Sequence, residues 1–183
     1  MDKHLGDDDS IAQFEALALP HLDAAYNLAR WLTRDDHDAH DLVQAAYLRA
    51  FRHRTGFRGG DAKAWLMTIV RNTYYTQLRD RRHARDEDEF DEAVHGSDDD
   101  SVYAIGVDPA RIVAGKDAGK LINRALDALP RAFREVLVLK ELDELSYQQI
   151  AEVAGIPIGT VMSRLARARK LLLACLVKER AGE

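Results

Sequence analysis

The residues best suited to bind another molecule lie in a stretch of capping, small and basic side chains from Leu145 to Lys170. Ser146 has the type and position of an N-cap for a short helix, which would end at a turn formed by Gly155-Ile156-Pro157. A second helix with small polar residues at its start follows this turn. This order is the pattern of a helix-turn-helix, which places its second helix in the major groove of DNA.

The second of these helices, expected from about Ile158 to Lys178, would turn a polar and basic face to DNA. Its core positions are Val161, Leu165, Ala168, Leu172 and Cys175. The opposite positions are Gly159, Thr160, Ser163, Ala166, Arg167 and Lys170. Ser163 and Arg167 can reach base edges, and the neighbouring basic residues Arg164, Arg169 and Lys170 suit phosphates. The alternative is a basic helix that is merely solvated, and the cap and the glycine turn favour DNA.

A second nucleic-acid surface is predicted on a helix from about Ala62 to Arg82, which Asp61 would cap. Its core stripe would hold Trp65, Leu66, Ile69 and Thr73. The opposite side alternates apolar or aromatic with basic residues: Met67, Arg71, Tyr74, Tyr75, Leu78 and Arg82. Rings that stack on unpaired bases and arginines that hold phosphates would suit single-stranded DNA. Composition alone favours the alternative, in which the apolar members of this face pack against the first helix.

The preceding helix, expected from about Asp38 to Arg54, combines a core stripe with a polar edge. The stripe consists of Ala39, Leu42, Val43, Ala46, Tyr47 and Ala50. The edge, which could receive a partner helix, consists of Asp41, Gln44, Ala45, Leu48 and Arg52. His37, His40 and Asp41 have the spacing of metal ligands, but no fourth ligand is apparent. We therefore predict no metal site and no cofactor.

These elements predict an all-α fold of two small helical domains joined by a flexible acidic linker, the C-terminal one a helix-turn-helix. Helical periodicity runs from Ile11 to Leu32 with a possible bend at Pro20, and no sustained period-two alternation indicates a strand. The expected divisions are a disordered acidic N-terminus at 1–10, a first domain at 11–85, the linker at 86–116 and a second domain at 117–183.

The net charge of −5 hides a strong segregation of charge along the chain. Asp86 to Asp108 contains ten acidic residues and no lysine or arginine, so the remainder carries +5. Arg49 to Arg85 has ten basic residues against two acidic ones, and Ile158 to Arg180 has six against one. Two basic blocks that flank an acidic segment indicate a nucleic-acid partner. The dense like charge of that segment favours a flexible linker.

Several classes of protein are disfavoured by composition. No stretch reaches the roughly 18–20 apolar residues that cross a bilayer, and the first ten residues have no apolar run, so we expect a cytoplasmic protein without membrane insertion. The lone Cys175 excludes an intramolecular disulfide and a cysteine zinc cluster. There is no nucleophile elbow and no glycine-rich phosphate loop, so neither an enzyme nor a small-molecule substrate is predicted.

Both halves of the chain resemble one family. Asp38 to Phe51 and Ala64 to Asn72 resemble the N-terminal domain of extracytoplasmic-function (ECF) sigma factors of bacterial RNA polymerase. Leu129-Pro130, Leu145-Ser146-Tyr147 and Gly159 to Arg169 resemble the C-terminal domain of the same family. The resemblance covers about residues 11–85 and 117–177, in the family's order, and is specific for that reason.

The resemblance implies a promoter-specificity factor whose partners are core RNA polymerase, through its β′ clamp and β flap, and promoter DNA. The residues that would grip the polymerase are Asp41, Leu42, Gln44 and Leu48. Those that would capture and melt the −10 element are Phe57, Arg58, Asp61, Lys63, Arg71, Asn72, Tyr75, Arg79 and Arg82. Those that would read the −35 duplex are Thr160, Met162, Ser163, Arg164, Arg167 and Lys170. An anti-sigma factor is the expected regulator, and the linker would thread toward the RNA exit channel.

The sequence departs from the family at three positions: His40 replaces a usual acidic residue, Gln149 a frequent glutamate, and Met162 a common arginine or lysine. A different hypothesis is a decoy that titrates an anti-sigma factor without directing transcription. The basic residues on both DNA-facing helices speak against a decoy. A free-standing helix-turn-helix repressor would account only for the C-terminal third of the chain.

Overall fold

The structure, a computed structural model, describes residues 3–86 and 116–181, and the backbone of these ranges forms helices and turns without a strand. The first range holds α1 (Lys3–Ala18), α2 (Leu22–Thr33), α3 (Asp36–Arg52) and α4 (Ala62–Asp86), which we call the N-terminal bundle. The second holds α5 (Lys116–Ala128), α6 (Arg131–Glu141), α7 (Tyr147–Ala154) and α8 (Ile158–Ala181), the C-terminal bundle. The all-α prediction is confirmed. The predicted linker lies outside the described residues except at its two ends.

Helix boundaries in the N-terminal bundle fall where side chains can satisfy the first free N–H groups. The Asp35 carboxylate accepts a hydrogen bond from the Asp38 amide at 2.9 Å and caps α3, and this bond lowers the pKa of Asp35. Asp61 caps α4 through the Ala64 amide at 2.7 Å, as predicted. Pro20 lies in a single 3-10 turn between α1 and α2, so the predicted bend is confirmed.

Helix α1 begins at Lys3, whereas the sequence predicted a disordered segment up to residue 10. Ala18 is fully buried, and Phe14 packs against the core near the same end of the helix. Once one turn of a helix is fixed by packing, each further residue adds a hydrogen bond at low entropic cost. This cooperativity explains why the helix extends toward the N-terminus beyond Ile11, where the apolar periodicity begins.

The helix-turn-helix is built as the sequence predicted. The Ser146 hydroxyl accepts from the Gln149 amide at 3.2 Å, and the Gln149 side-chain oxygen accepts from the Ser146 amide at 2.7 Å, which makes a capping box at the start of α7. Helix α7 ends at Ala154, and the following Gly155 has a φ of 64°, a left-handed conformation that glycine adopts without strain. Helix α8 begins three residues later.

Helix α4 is buried on more of its circumference than a single stripe would require. Met67 and Val70 are fully buried and Tyr74 is 9% exposed, alongside the predicted core residues Leu66 and Thr73. The aromatic and apolar members of its second face are therefore buried or half-buried, in agreement with the alternative that composition favoured. The predicted core residues Trp65 and Ile69 are only half-buried.

The two bundles pack against each other and share one continuous hydrophobic core. Helix α2 packs on α6, and α4 packs on α7. Buried residues of both bundles, including Leu28 and Val70 on one side and Leu129 and Leu139 on the other, belong to that core. None of the helices in residues 3–86 and 116–181 is both long and apolar enough to span a membrane.

Candidate nucleic-acid interface

Helix α8 turns its apolar face inward and a polar face outward. Val161, Leu165 and Ala168 are fully buried, as predicted. Four of the residues expected at a −35 element are exposed: Met162, Ser163, Arg167 and Lys170. Thr160 and Arg164 are half-buried at the edge of this face. The outward face is slim at its start, with Gly159 and Ser163 one turn apart, which is the shape that a major groove admits.

Arg169 does not belong to this outward face. Its Nη2 and Nε atoms donate to one Glu141 carboxylate oxygen at 2.7 and 3.1 Å, and the bond to Glu141 raises the pKa of Arg169. The bond fastens α8 to α6 within the C-terminal bundle. The phosphate contact expected of Arg169 stays a prediction, and it would require Arg169 to exchange its Glu141 partner for a phosphate.

Along α4 and the loop before it, some of the residues expected at a −10 element point outward. The exposed members are Arg58, Asp61, Asn72, Arg79 and Arg82. Phe57 is half-buried, with its ring centroid 5.1 Å from that of Trp65. Gly59 and Gly60 have φ values of 89° and 106°, so this loop needs residues without a Cβ to turn into the helix.

Four of the residues expected at a −10 element, the exposed Asp61 among them, bond to the C-terminal bundle. Arg71 forms an ion pair with Glu135, and the Tyr75 hydroxyl donates to the second oxygen of the same carboxylate at 3.2 Å. Lys63 donates to the main-chain oxygen of Asp143. The second oxygen of Asp61 accepts from the Gln149 amide nitrogen at 2.6 Å.

Of the four α3 residues that were expected to contact a polymerase, three are exposed and one is buried. Asp41, Gln44 and Leu48 are exposed, and Leu48 retains 55% of its accessible surface. The prediction that Leu42 contacts the polymerase is wrong, because Leu42 is fully buried in the core and cannot contact a partner. The helical repeat of 3.6 residues places Leu42 on the same face as Ala39 and Ala46, on the inward side.

The histidines near the start of α3 do not converge on a common point. His37 pairs with Asp41 at 3.3 Å, whereas His40 contacts the main-chain oxygen of Asp36 and lies 4.6 Å from the Tyr26 ring. Among the residues that the structure describes, no group of three or more His, Cys, Asp or Glu side chains is placed to hold a metal ion.

Sequence reasoning missed the charged residues that join the two bundles. Arg134, Glu135 and Asp143 are each at most 3% exposed. Asn27 donates to the Asp143 carboxylate at 3.3 Å, and burial raises the pKa of Asp143 to about 6. Burial, reinforced by the charge of Glu135, also raises the pKa of Tyr75 to about 12, so its hydroxyl remains a donor. One signal was available in the sequence, since Arg134 and Glu135 are followed directly by the unbroken apolar run Val136-Leu137-Val138-Leu139.

Comparison with known proteins identifies both bundles. The family described as Sigma-70 region 2 matches residues 17–84, and the family described as Sigma-70, region 4 matches residues 120–172. These two regions, in this order, define a sigma factor of the sigma-70 class.

The sequence relatives narrow this class. The chain is 34% identical over 173 residues to the ECF RNA polymerase sigma factor SigE of Mycolicibacterium smegmatis. This match covers 94% of this chain and 65% of that protein. It is 33% identical over 138 residues to the ECF RNA polymerase sigma-E factor of Escherichia coli K12. That match covers 74% of this chain and 72% of that protein. The chain belongs to the ECF group of the sigma-70 family. It thus spans slightly under two thirds of the length of the SigE relative.

Two solved structures share the arrangement. The sigma factor RpoE of Bartonella quintana, in complex with the anti-sigma factor NepR, superposes with a TM-score of 0.69 at 31% identity over 90% of this chain and 96% of that one. CnrH, in complex with the cytosolic domain of CnrY, superposes with a TM-score of 0.58 at 25% identity over 90% of this chain and 88% of that one.

Proposed function

We propose that this protein directs core RNA polymerase to specific promoters inside the cell, opens the −10 element with its N-terminal bundle and reads the −35 duplex with α8. The observation that carries the proposal is the pairing of a capped α7 and a glycine turn with an α8 whose outward face holds Ser163, Arg167 and Lys170. The protein has no chemistry of its own, because the polymerase makes the bonds.

The individual contacts are assigned by side-chain type and exposure. Thr160, Met162, Ser163 and Arg164, with Arg167 and Lys170, would face the −35 duplex. Asp41, Gln44 and Leu48 on α3 would meet the β′ clamp, and the C-terminal bundle would meet the β flap. The −10 strand would follow the loop from Phe57 to Asp61 and then α4. The domains proposed for these roles, residues 11–85 and 117–183, are supported by the matched ranges 17–84 and 120–172.

An anti-sigma factor is the proposed regulator. The support is that both superposed proteins were solved as complexes, the sigma factor RpoE with the anti-sigma factor NepR and CnrH with the cytosolic domain of CnrY. The exposed α3 edge around Leu48 is a surface that such a partner would compete for with the polymerase.

The deciding experiment is run-off transcription with purified core polymerase and the full chain, on promoters found by mapping transcript starts after overexpression. We expect transcripts that depend on both the protein and the promoter. Core polymerase without the protein is the control. A decoy that only titrates an anti-sigma factor would bind such a partner and give no promoter-dependent transcript.

A further inference from the structure

Two neighbouring rows of side chains, each with a spacing of four residues, cross the exposed side of α8. The slim polar row consists of Gly159, Ser163 and Arg167. The apolar row consists of Ile158, Met162 and Ala166, and Lys170 continues it. Residues four apart lie on adjacent turns of a helix, so each row is continuous on the surface of α8. The polar row carries the hydrogen-bonding contacts proposed above, whereas the apolar row has no chemical role in them.

The apolar row is exposed although its larger members are of a type that is usually buried. Met162 retains 51% of its accessible surface and Ile158 retains 44%, whereas Val161 and Leu165 on the other side of the helix are fully buried. Ala166 is exposed on the following turn. An exposed apolar row on a helix that enters a major groove suits an apolar feature of that groove.

We propose that the apolar row recognises the C5-methyl groups of thymine in the −35 duplex, with Met162 as the residue that determines this specificity. This role rests on the proposed function, because it names the base feature that the same site recognises. Thymine is the base that presents a methyl group in the major groove, beside its O4 acceptor, and apolar side chains contact that methyl group. A thymine edge thus offers an apolar group and an acceptor side by side, as α8 offers an apolar row and a polar row.

The side chains around Met162 leave it room to reach a base. Gly159 has no side chain, and open space surrounds the position of its missing Cβ. The Ser163 hydroxyl donates to the main-chain oxygen of Thr160 at 3.0 Å, which holds this short side chain against the helix. Methionine is longer than these neighbours, and its unbranched thioether chain adapts to the shape of the surface that it contacts. Met162 therefore extends further from the helix axis than the adjacent polar row at this turn.

Charge identifies DNA as the occupant of this surface. Arg164 is half-buried, and Arg167 and Lys170 are exposed within about two turns of Met162. No aspartate or glutamate occurs from residue 155 to residue 178. An apolar row within a basic segment that lacks acidic residues complements a polyanion whose grooves contain methyl groups.

Methionine at position 162 also removes a contact that would not depend on sequence. The family to which the chain belongs commonly has arginine or lysine here, and such a cation can bind a phosphate whatever the neighbouring base. The Met162 side chain has no hydrogen-bond donor for a phosphate. Its contribution to binding therefore depends on which base lies beside it.

The test removes single methyl groups from the DNA. The full chain is assembled with core polymerase on a duplex promoter found by transcript mapping, and each thymine of the −35 element, on either strand, is replaced in turn by uracil. Uracil retains the base pairing and the O4 acceptor of thymine and lacks the methyl group. Fluorescence anisotropy gives the affinity of the holoenzyme for each promoter, with the parent chain and with each variant.

We expect uracil to weaken binding by the parent holoenzyme about fourfold at one or two positions, which is the loss that corresponds to one buried methyl group. Met162→Ala should no longer distinguish uracil from thymine at those positions. Met162→Leu, which keeps an apolar side chain of similar volume, should retain the distinction. The matched control is Val177→Ala, which shortens another exposed apolar side chain of α8 and should leave the ratio of the two affinities unchanged.

Met162→Arg separates a methyl contact from a phosphate contact. This variant should lose the preference for thymine, because the apolar contact is replaced by a cation. It should also steepen the slope of log affinity against log salt by about 1, through one additional phosphate contact. A Met162→Arg holoenzyme that keeps the full preference for thymine would contradict the assignment of Met162.

Three results would overturn the inference while the proposed function stands. The first is a parent holoenzyme that binds thymine and uracil promoters equally at every position. The second is a −35 element that contains no A·T pair. The third is an equal loss of affinity of Met162→Ala for thymine and uracil promoters, which would place Met162 against the polymerase instead. If the parent gives no promoter-dependent transcript, the proposed function itself fails, and the role of Met162 fails with it.

Discussion

Arg134 and Trp31 are joined across the two bundles by a hydrogen bond of 3.0 Å from the guanidinium to the main-chain oxygen. The same guanidinium donates to the carbonyls of Leu126, Asp127 and Leu129, around the C-terminal end of α5 where the helical hydrogen bonds run out. One arginine, 2% exposed, therefore caps a helix of its own bundle and binds the neighbouring one.

We expect Arg134→Met to lower the free energy of unfolding by about 3 kcal/mol, because the buried hydrogen bonds from its guanidinium are lost. The carbonyls of Asp127 and Leu129 would keep a hydrogen bond from Arg34, and that of Leu126 would keep one from the Leu129 amide. Arg134→Lys should recover only part of this loss. The single ammonium of lysine cannot reach all the carbonyls that the three nitrogens of the planar guanidinium reach. Urea unfolding of the full chain followed by circular dichroism gives these values. The matched control is Arg131→Met on the same helix, which loses only an exposed contact to the Tyr74 ring and should cost less than about 1 kcal/mol. Equal costs for the two methionine variants would contradict this account.

Asp143 should make stability depend on pH near neutrality. Its pKa is raised to about 6 by burial from an ordinary value of 3.8, and the groups that face it are Asn27 from α2 and Lys63 from α4. The folded protein therefore takes up a proton that the unfolded chain does not, as the pH falls from about 7 to about 4. The free energy of unfolding should rise over this window by at most about 3 kcal/mol, at about 1.4 kcal/mol per unit of pKa.

The measurement is urea unfolding at pH 7.5 and at pH 5.5, compared between the parent and Asp143→Asn. The asparagine variant should lose the gain that the parent shows at the lower pH, because it has no proton to bind. Glu144→Gln, which changes an exposed carboxylate one residue away, should behave like the parent. A parent and an Asp143→Asn variant with identical pH dependence would show that Asp143 titrates normally.

Two glycines of the helix-turn-helix should respond oppositely to alanine. Gly155 has a φ of 64°, and open space surrounds the position of its missing Cβ, so Gly155→Ala should cost about 1–2 kcal/mol from backbone strain alone. Gly159 lies in α8 with equally open space, so Gly159→Ala should stabilise the protein by up to about 1 kcal/mol. Thermal unfolding of both variants checks this difference in sign. Destabilisation by both would show that the Cβ meets an obstacle.

Lys170 is predicted to contribute to promoter binding through a contact with a DNA phosphate. Lys170→Ala should weaken promoter binding by the holoenzyme about equally for all −35 sequences, and should reduce the slope of log affinity against log salt by about 1. Lys178→Ala, eight residues further along α8, is the control and should leave the slope unchanged. Fluorescence anisotropy at several salt concentrations provides both slopes. A change in sequence preference without a change in slope would assign Lys170 to base edges instead.

The sequence predicted those features that depend on near neighbours. The caps at Asp61 and Ser146, the glycine turn and the core stripes of α3 and α8 involve residues within one or two helical turns, so spacing alone reveals them. Leu42 shows the limit of a resemblance, because it was assigned to a contact surface although its own spacing placed it in the core.

The contacts between the bundles could not be predicted in this way. Arg71 and Glu135 are 64 residues apart, and Asn27 and Asp143 are 116 apart, so their pairing depends on how two separately patterned bundles dock. One feature of the sequence did indicate buried charges, because Arg134 and Glu135 directly precede the apolar run of α6. A helix that is apolar on all sides must be enclosed on all sides, and charges within it then require partners.

The Asp61 carboxylate divides its two oxygens between α4 and the opposite bundle. When the bundles separate, the oxygen on the Ala64 amide is unaffected, and Gln149 likewise retains its bond to Ser146. Neither helix start would fray, so each opening exchanges a few side-chain partners for water and needs no renucleation of a helix. Separation of the two bundles would therefore require the detachment of preformed surfaces and no refolding of a helix.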